Sequence, residues 1–202
     1  MSGLGYKRTF STGDIPVFQG SGKDIQLAQG GFLLDVTGLV AGAVIKAGTP
    51  LTYDESTRKA KPLTTSLIVE NAAGGATSYR IAKGSRFKVG DNLAAVAGGA
   101  AYPITTIDTS NANYDIVTVG TTIGALNASA LVYGSSATGA NNSSFGGVNG
   151  LLYRDQVVAD GESCSVVIGA IVYARRVPYS AALEAALAAS SPKTKFTYSQ
   201  SY

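Results

Sequence analysis

The apolar residues of this chain occur in short runs that glycine, proline and aspartate interrupt. From Gly31 onward the sequence reads GFLLDVTGLV, AGAVIKAGTPLTYD and KAKPLTTSLIVEN, and none of these runs reaches the length of a helix. Further on, apolar and polar residues alternate, so that Tyr79 and Ile81 share one face of a strand and Phe87 and Val89 share one face of the next. This pattern predicts an all-β fold whose strands are half buried.

Polar turns between apolar runs predict hairpins. The three turns are Asp54–Lys59 within residues 44–63, Asp108–Asn113, and Asp160-Gly161. Between the second and third turns, residues 133–150 are rich in glycine, serine and asparagine and are predicted to be a loop or linker at a domain boundary. Val166–Tyr173 is apolar throughout, which predicts a central strand covered on both faces.

The C-terminal region carries the only convincing helix pattern. SAALEAALAAS, residues 180–190, is rich in alanine and leucine, begins with a possible N-cap at Ser180 and is followed by Pro192. Beyond it, Phe196 and Tyr198 alternate with polar residues, which is typical of a strand. The sequence therefore predicts a short helix and then a final strand.

The residue types present exclude several kinds of chemistry. The chain has no histidine and one cysteine, which excludes imidazole-dependent catalysis, an internal disulfide and a cysteine-rich zinc site. Cys164 falls on the apolar side of its segment, which favours an inert core thiol over a nucleophile. The chain has a net charge of +3 and no long basic run, so nucleic acid is not an expected partner. Lys7-Arg8 and Arg175-Arg176 are interpreted as solvated strand ends.

No segment has the composition of a signal peptide, and no apolar span reaches 18 residues. We therefore expect a soluble protein that is made in a cytoplasm and has no membrane partner.

Two loops contain residue types found in ligand sites. Gly20-Ser21-Gly22-Lys23-Asp24 lacks the spacing of a phosphate-binding loop and is predicted to be flexible. DTSNANYD, residues 108–115, contains oxygen ligands but not the spacing of an EF-hand, so a bound Ca²⁺ stays open beside plain turn formation. The other carboxylates also lie mostly at turns, and no spacing brings two of them together. No catalytic residue, metal or cofactor is predicted, and we expect the protein not to be an enzyme.

Two segments resemble the ordered elements of the lambda-type head-decoration proteins of tailed phages. VIKAGTPLTYDESTRKAKPL matches the first family element at Gly48, Thr49, Pro50, Leu51, Asp54, Ala60 and Pro62. GLLYRDQVVADGESCSVVIGAIVYARRV matches the second element at Gly150, Leu151, Leu152, Asp155, Gly161, Val166 and Gly169. The segment between them, which the family lacks, is similar to head-fibre or auxiliary capsid proteins of crAss-like gut phages.

The resemblance implies four parts. These are an extended N-terminal arm (1–30), a discontinuous decoration-like β base domain (31–65 and 148–178), an inserted small β-barrel-like domain (66–147), and a C-terminal helix and strand (179–202). It also implies a homotrimer on the capsid surface of a virion, with the major capsid protein as partner. Such a protein would stabilise the expanded shell by adding contacts that exist only there.

The polar arm carries spaced apolar residues, and an extended segment of this kind can order on a neighbouring protein. We expect Ile15, Val17 and Phe18 to contact the major capsid protein.

The alternative function is a carbohydrate- or host-surface-binding module displayed on the virion, with Tyr79, Tyr102 and Tyr114 as a stacking surface. A hydrolase would require an acid pair in a pocket. The residue pattern by itself indicates an oligomer without fixing the number of subunits. The expectation of a trimer comes from the family resemblance.

Overall fold

The computed structural model describes residues 16–20, 24–190 and 194–200, and β-strands dominate these residues. The first six strands are β1 Phe18–Gln19, β2 Gln26–Leu27, β3 Phe32–Leu34, β4 Val44–Ile45, β5 Pro50–Asp54 and β6 Lys59–Pro62. The next six are β7 Thr65–Leu67, β8 Ser78–Ala82, β9 Asn92–Ala94, β10 Ala101–Asp108, β11 Tyr114–Val119 and β12 Leu131–Ser135. After these come β13 Gly150–Leu152, β14 Gln156–Val157, β15 Ser163–Cys164, β16 Val166–Tyr173, a 3₁₀-helix Ala174–Arg176, α1 Ala181–Ala189 and β17 Lys195–Ser199. The predicted all-β class with a short C-terminal helix is confirmed.

Strands from the two ends of the described chain form one sheet, which we call the base. Its nine strands follow the order β1-β16-β13-β5-β6-β3-β15, with β2 and β17 also paired to β16. A separate two-stranded sheet, β4 with β14, packs beside it. Strand β16 is the centre of the base, as its apolar sequence predicts, because it pairs with β1, β2, β13 and β17.

The six strands β7 to β12 form the second body, which we call the barrel. Their order is β7-β12-β9-β10-β11-β8, and a bridge between Ile68 and Ile81 brings the first and last strands together. The hydrogen bond from Val69 N–H to Arg80 O (2.9 Å) supports the same closure. Closure leaves the sheet with little unpaired edge. Side chains alternate along β8 as predicted, with Tyr79 and Ile81 buried.

Three clusters of apolar side chains hold these parts together. The base cluster is Phe32, Leu34, Ile45, Leu51, Tyr53, Ala60, Leu152, Val158, Cys164 and Val166. The barrel cluster is Ile68, Tyr79, Ile81, Phe87, Leu93, Ile104, Val117, Val119, Ile123, Leu126 and Val132. The junction cluster draws on both bodies and α1: Leu63, Ala94, Ala101, Leu131, Tyr133, Phe145, Val148, Leu151, Val167, Ala170, Val172, Leu183 and Leu187. Because this third cluster is shared, the two bodies are packed together rather than tethered.

The predicted helix and final strand are present. Ser180 Oγ accepts a hydrogen bond from Leu183 N–H (3.1 Å) at the start of α1, as the N-cap prediction requires. Leu183 and Leu187 are the buried positions of the helix. Strand β17 follows and runs parallel to β16, with Phe196 opposite Ala170. The helix thus serves as the crossover that brings the chain back to β16 in parallel.

Two local predictions are wrong, and the bounds of a third differ. Residues 83–91 contain no strand: Phe87 is buried, but Val89 is 64% exposed at a turn in which Lys88 N–H donates to Asp91 Oδ2 (2.9 Å). The strands beside the Asp160-Gly161 turn do not pair with each other, because β14 pairs with β4 and β15 pairs with β3. The loop predicted for residues 133–150 is present at 136–149 between β12 and β13, and only its ends belong to strands.

The described part of the predicted N-terminal arm belongs to the base sheet. Residues Phe18–Gln19 and Gln26–Leu27 both pair antiparallel with β16. Tyr173 N–H donates to Val17 O (3.0 Å), and the Phe18 ring lies 6.0 Å from that of Tyr153. Residues 1–15 and 21–23 lie outside the described residues, as does the centre of the Gly20–Asp24 loop.

Candidate interaction surface

The first segment of the family resemblance packs closely against two other parts of the base. Gly48 has φ +78°, and a Cβ there would overlap Val177 and approach Val17 to 2.7 Å. Thr49 is buried and its Oγ1 donates to Lys46 O (2.7 Å). Pro50 and Leu51 then pair with β13. These residues join strands, whereas Pro62 of the same segment lines a cavity of about 230 Å³ between the base and the barrel.

The second segment of the resemblance lies beside the first in the same sheet. Leu51 is opposite Gly150, and Pro50 is opposite Leu151. A Cβ at Gly150 would overlap Val166 and come within 3.2 Å of Val167 O, so β13 and β16 approach closely only because this residue is glycine. Leu152 is buried in the base cluster, Gly161 occupies a turn at φ +78°, and Gly169 faces Gln26. The two segments, far apart in sequence, form one paired unit.

The carboxylates of the two segments hold turns. Asp54 Oδ1 accepts hydrogen bonds from Ser56 N–H (2.8 Å) and Ser56 Oγ–H (2.7 Å), and these bonds lower the pKa of Asp54. Asp155 accepts from Ala47 N–H (2.8 Å) and pairs with Lys46 (2.7 Å). Partial burial opposes ionisation of Asp155, but these bonds and the nearby ammonium hold its pKa below the ordinary value. Both carboxylates are satisfied by the backbone they organise.

The loop considered for Ca²⁺ is organised by an ammonium group. Lys83 Nζ lies 2.8 Å from Oδ1 of the buried Asp115, and it donates to Thr109 O (2.6 Å) and Asn111 O (2.7 Å). Asp108 accepts from Ser110 N–H (2.9 Å). Three oxygen atoms that Ca²⁺ could use are therefore directed at Lys83 instead. Within residues 16–20, 24–190 and 194–200, no three Cys, Asp or Glu residues cluster closely enough to hold a metal.

Cys164 and the tyrosines predicted to stack on a ligand are mostly enclosed. Burial raises the pKa of Cys164 to about 11, so the thiol stays protonated at neutral pH. Tyr79 is fully buried, its hydroxyl donating to Ala76 O (2.6 Å) and accepting from Ile123 N–H (2.9 Å). Tyr102 lies near the start of β10, whereas Tyr114 begins β11 near the other end of that hairpin. The three tyrosines do not form a common stacking surface.

The residues predicted to contact a capsid have different placements. Val17 and Phe18 are half-buried and pack against the junction cluster of their own chain. Ile15 lies outside the described residues. A capsid contact through these residues stays a prediction, and the structure gives Val17 and Phe18 an additional role within the fold.

Sequence analysis did not identify the clearest exposed apolar surface, which we call the valine face (Val40, Val44 and Val157). Val44 lies directly opposite Val157 in the β4–β14 pair, which places their side chains on one face about 5 Å apart. Their exposed fractions are 47% and 50%, and Val40, in the turn before β4, is 69% exposed. The alternate residues Ile45 and Val158 point inward. AVIK and QVVA do not alternate apolar with polar residues, so no local pattern in the sequence could have identified this face.

Comparisons with known proteins give no further identification: no family model, curated protein or solved structure matches this chain. None of the helices among the described residues is both long enough and apolar enough to span a membrane.

Proposed function

We propose that this protein is a structural component of a tailed-phage virion that binds the outside of the capsid and stabilises the expanded shell. The observation that carries the proposal is the pairing of the two segments that resemble decoration proteins. They lie about a hundred residues apart in the chain, yet β5 pairs with β13 and β13 pairs with β16. An adjacent pairing of these segments is what the resemblance requires.

The packing of the molecule supports a mechanical role. The junction cluster fixes the barrel to the base, and β1, β2 and β17 add strands to β16 from both ends of the described chain. A body of this kind transmits force without a hinge, because close-packed interiors deform little. A decoration protein acts by binding and needs no turnover.

The valine face supplies the proposed contact with the shell. Single exposed apolar residues are common, but Val44 and Val157 are cross-strand neighbours on a small β-ribbon, with the exposed Val40 just before it in the chain, and such a patch favours burial against a partner. The ion pair Lys46–Asp155 lies beside this patch and contributes little by itself, because both side chains are exposed. We assign the valine face to the base side that rests on the capsid.

The first experiment is quantitative mass spectrometry of purified virions. A copy number near that of the major capsid protein supports decoration of the shell. Absence from virions, or only a few copies in each, contradicts the proposed function.

The second experiment tests the valine face by co-sedimentation of purified protein with capsids that lack it. The double variant V44D/V157D should bind at least about tenfold more weakly, because a buried carboxylate replaces an apolar contact. Val96, 61% exposed in the barrel, provides the matched control as V96D. If V44D/V157D and the wild-type protein bind capsids equally well, the valine face does not contact the capsid.

A further inference from the structure

A second surface, at the boundary between barrel and base, has a different character. We call it the junction groove; it has a volume of about 360 Å³. Its lining includes β7, Thr65–Leu67, and the segment from Ala82 to Ser85. Leu131 and the segment that follows the 3₁₀-helix, Val177 and Pro178, also line it.

The groove exists because the barrel is joined by few contacts along this line. Strands β7 and β8 meet at the Ile68–Ile81 bridge and at the hydrogen bond from Ser66 Oγ to Ala82 O (3.3 Å). Beyond Ala82 the chain turns away at Lys83 and Gly84, and β7 continues toward the base. Leu67 alternates with the buried Ile68, so it faces out of the barrel and is 44% exposed at the groove.

Positive charge lines the groove without a carboxylate among the lining residues. The charged lining residues are Lys83, Arg175 and Arg176. Lys83 is paired with Asp115, so its charge is compensated. Among the described residues, the contacts of Arg176 are with neutral groups: Nη1 donates to Pro16 O (2.5 Å), and the guanidinium lies 4.5 Å from the centre of the Tyr173 ring. These contacts orient the guanidinium but do not neutralise it.

We propose that the junction groove (Leu67, Val177 and Pro178, with Lys83, Arg175 and Arg176 at its rim) binds a short extended segment of a partner protein that carries carboxylates around an apolar residue. The apolar side chain fills the space beside Leu67, and a carboxylate meets the guanidinium of Arg176. Guanidinium groups suit carboxylates because their donors form a planar fork. This inference rests on the proposed function only in taking the protein to act by adhesion.

Charge also distinguishes this partner from the protein's own N-terminal segment. That segment, MSGLGYKRTFSTGDI, joins the described chain at Pro16, whose carbonyl Arg176 already contacts. It contains Lys7 and Arg8 but only one carboxylate, Asp14. A basic segment beside a basic groove is poorly matched, whereas an acidic segment is attracted to it.

The test uses fluorescence anisotropy of the full chain with two labelled peptides, acidic DEDLDED and its neutral counterpart NQNLNQN. The acidic peptide should bind at least about tenfold more tightly, which corresponds to one charge-assisted hydrogen bond. Raising salt from about 50 mM to about 200 mM should reduce this difference. Equal binding of the two peptides, or no binding of the acidic one, overturns the inference.

A matched pair of variants locates the binding. Leu67 and Val69 are both 44% exposed on the same side of the barrel, but only Leu67 lines the groove. L67D should lose acidic-peptide binding, and V69D should keep it. Equal loss in both variants overturns the assignment to the groove. So does acidic-peptide binding that appears only after residues 1–15 are removed, because the groove would then hold that segment.

Capsid co-sedimentation of the same variants separates this inference from the proposed function. L67D that decorates capsids normally but no longer binds the acidic peptide supports a second partner site. If the wild-type protein decorates capsids but does not bind the acidic peptide, the assignment of the groove is wrong and the proposed function stands. If the protein is absent from virions, the proposed function is wrong and the peptide result is unaffected.

Discussion

The barrel and the base are both built mainly of antiparallel strands, but they obtain their strand order in different ways. In the barrel, β10 has eight residues and β11 six, and a local turn joins them. In the base, β13 has three residues and β15 two, and their partners come from distant segments. Long local strands are specified by their own alternation, whereas short distant ones depend on close backbone approach at particular residues.

The largest effect is expected where the base depends on a glycine. Gly48→Ala should lower the free energy of unfolding by about 3 kcal/mol, because a left-handed backbone and an overlap with Val177 are both unfavourable. Gly42 has φ +80° with nothing within 4 Å of a Cβ, so Gly42→Ala should cost only the backbone strain, about 1 kcal/mol. Urea denaturation measures both values. Equal losses would show that close packing at Gly48 does not hold the base.

Removal of the ion pair between Lys83 and Asp115 should have the next largest effect, and it should destabilise the barrel. Lys83→Met leaves the buried Asp115 carboxylate without its ion pair and should cost about 2 kcal/mol. Hydrogen exchange should increase at residues 109–113 in particular. Lys59→Met, at an exposed position of the base, is the control and should change neither quantity. Unchanged exchange at the hairpin tip would contradict the role assigned to Lys83.

Removal of one hydroxyl should have opposite consequences in the two regions. Tyr79→Phe in the barrel leaves the buried Ile123 N–H without an acceptor and should cost about 1.5 kcal/mol. In the base, the buried Tyr53 hydroxyl has no hydrogen-bond partner among the described residues, and burial raises its pKa. Tyr53→Phe should therefore be neutral or slightly stabilising by thermal unfolding. Destabilisation of equal size in both variants would contradict this difference.

The smallest effect concerns pH. Hydrogen bonds from Ser56 lower the pKa of Asp54 from an ordinary value of 3.8, so its stabilising contribution is complete above that value and is lost as pH falls through the lowered pKa. Ser56→Ala should raise the pKa of Asp54, measured by NMR of the carboxyl carbon. Ser110→Ala near Asp108 is the comparison in the barrel, where the backbone N–H of residue 110 is the main donor and remains in place. A larger shift at Asp108 than at Asp54 would reverse the expected order.

The same difference explains how much of the structure the sequence predicts. The β10–β11 hairpin and α1 follow from local signals, namely β-branched alternation around Asp108–Asn113 and the Ser180 cap. The pairing of β14 with β4 and of β15 with β3 has no local signal, because each strand has only two or three residues. Phe87 is buried, as the alternation of apolar and polar residues predicts, but it does not lie in a strand. The turn in which Lys88 N–H donates to Asp91 prevents a strand from forming there.

The candidate surfaces show the same limit. The valine face requires Val44 to lie opposite Val157, and the junction groove requires Leu67 to lie near Val177; neither proximity can be read from sequence spacing. The burial of Tyr79 also depends on barrel closure, which converts a predicted stacking residue into a core residue. The absence of histidine and the single cysteine, by contrast, could be read directly from the sequence.

The pairing of β5 with β13 has a consequence for the order in which the protein forms during translation. The β5–β6 hairpin leaves the ribosome nearly ninety residues before its neighbour β13 is made. At roughly 5–20 residues per second, one edge of that hairpin waits several seconds for its neighbour. The barrel strands are complete by Ser135 and pair with one another, so we expect the barrel to fold first and to present Leu131 and Tyr133 as the surface on which the base then assembles.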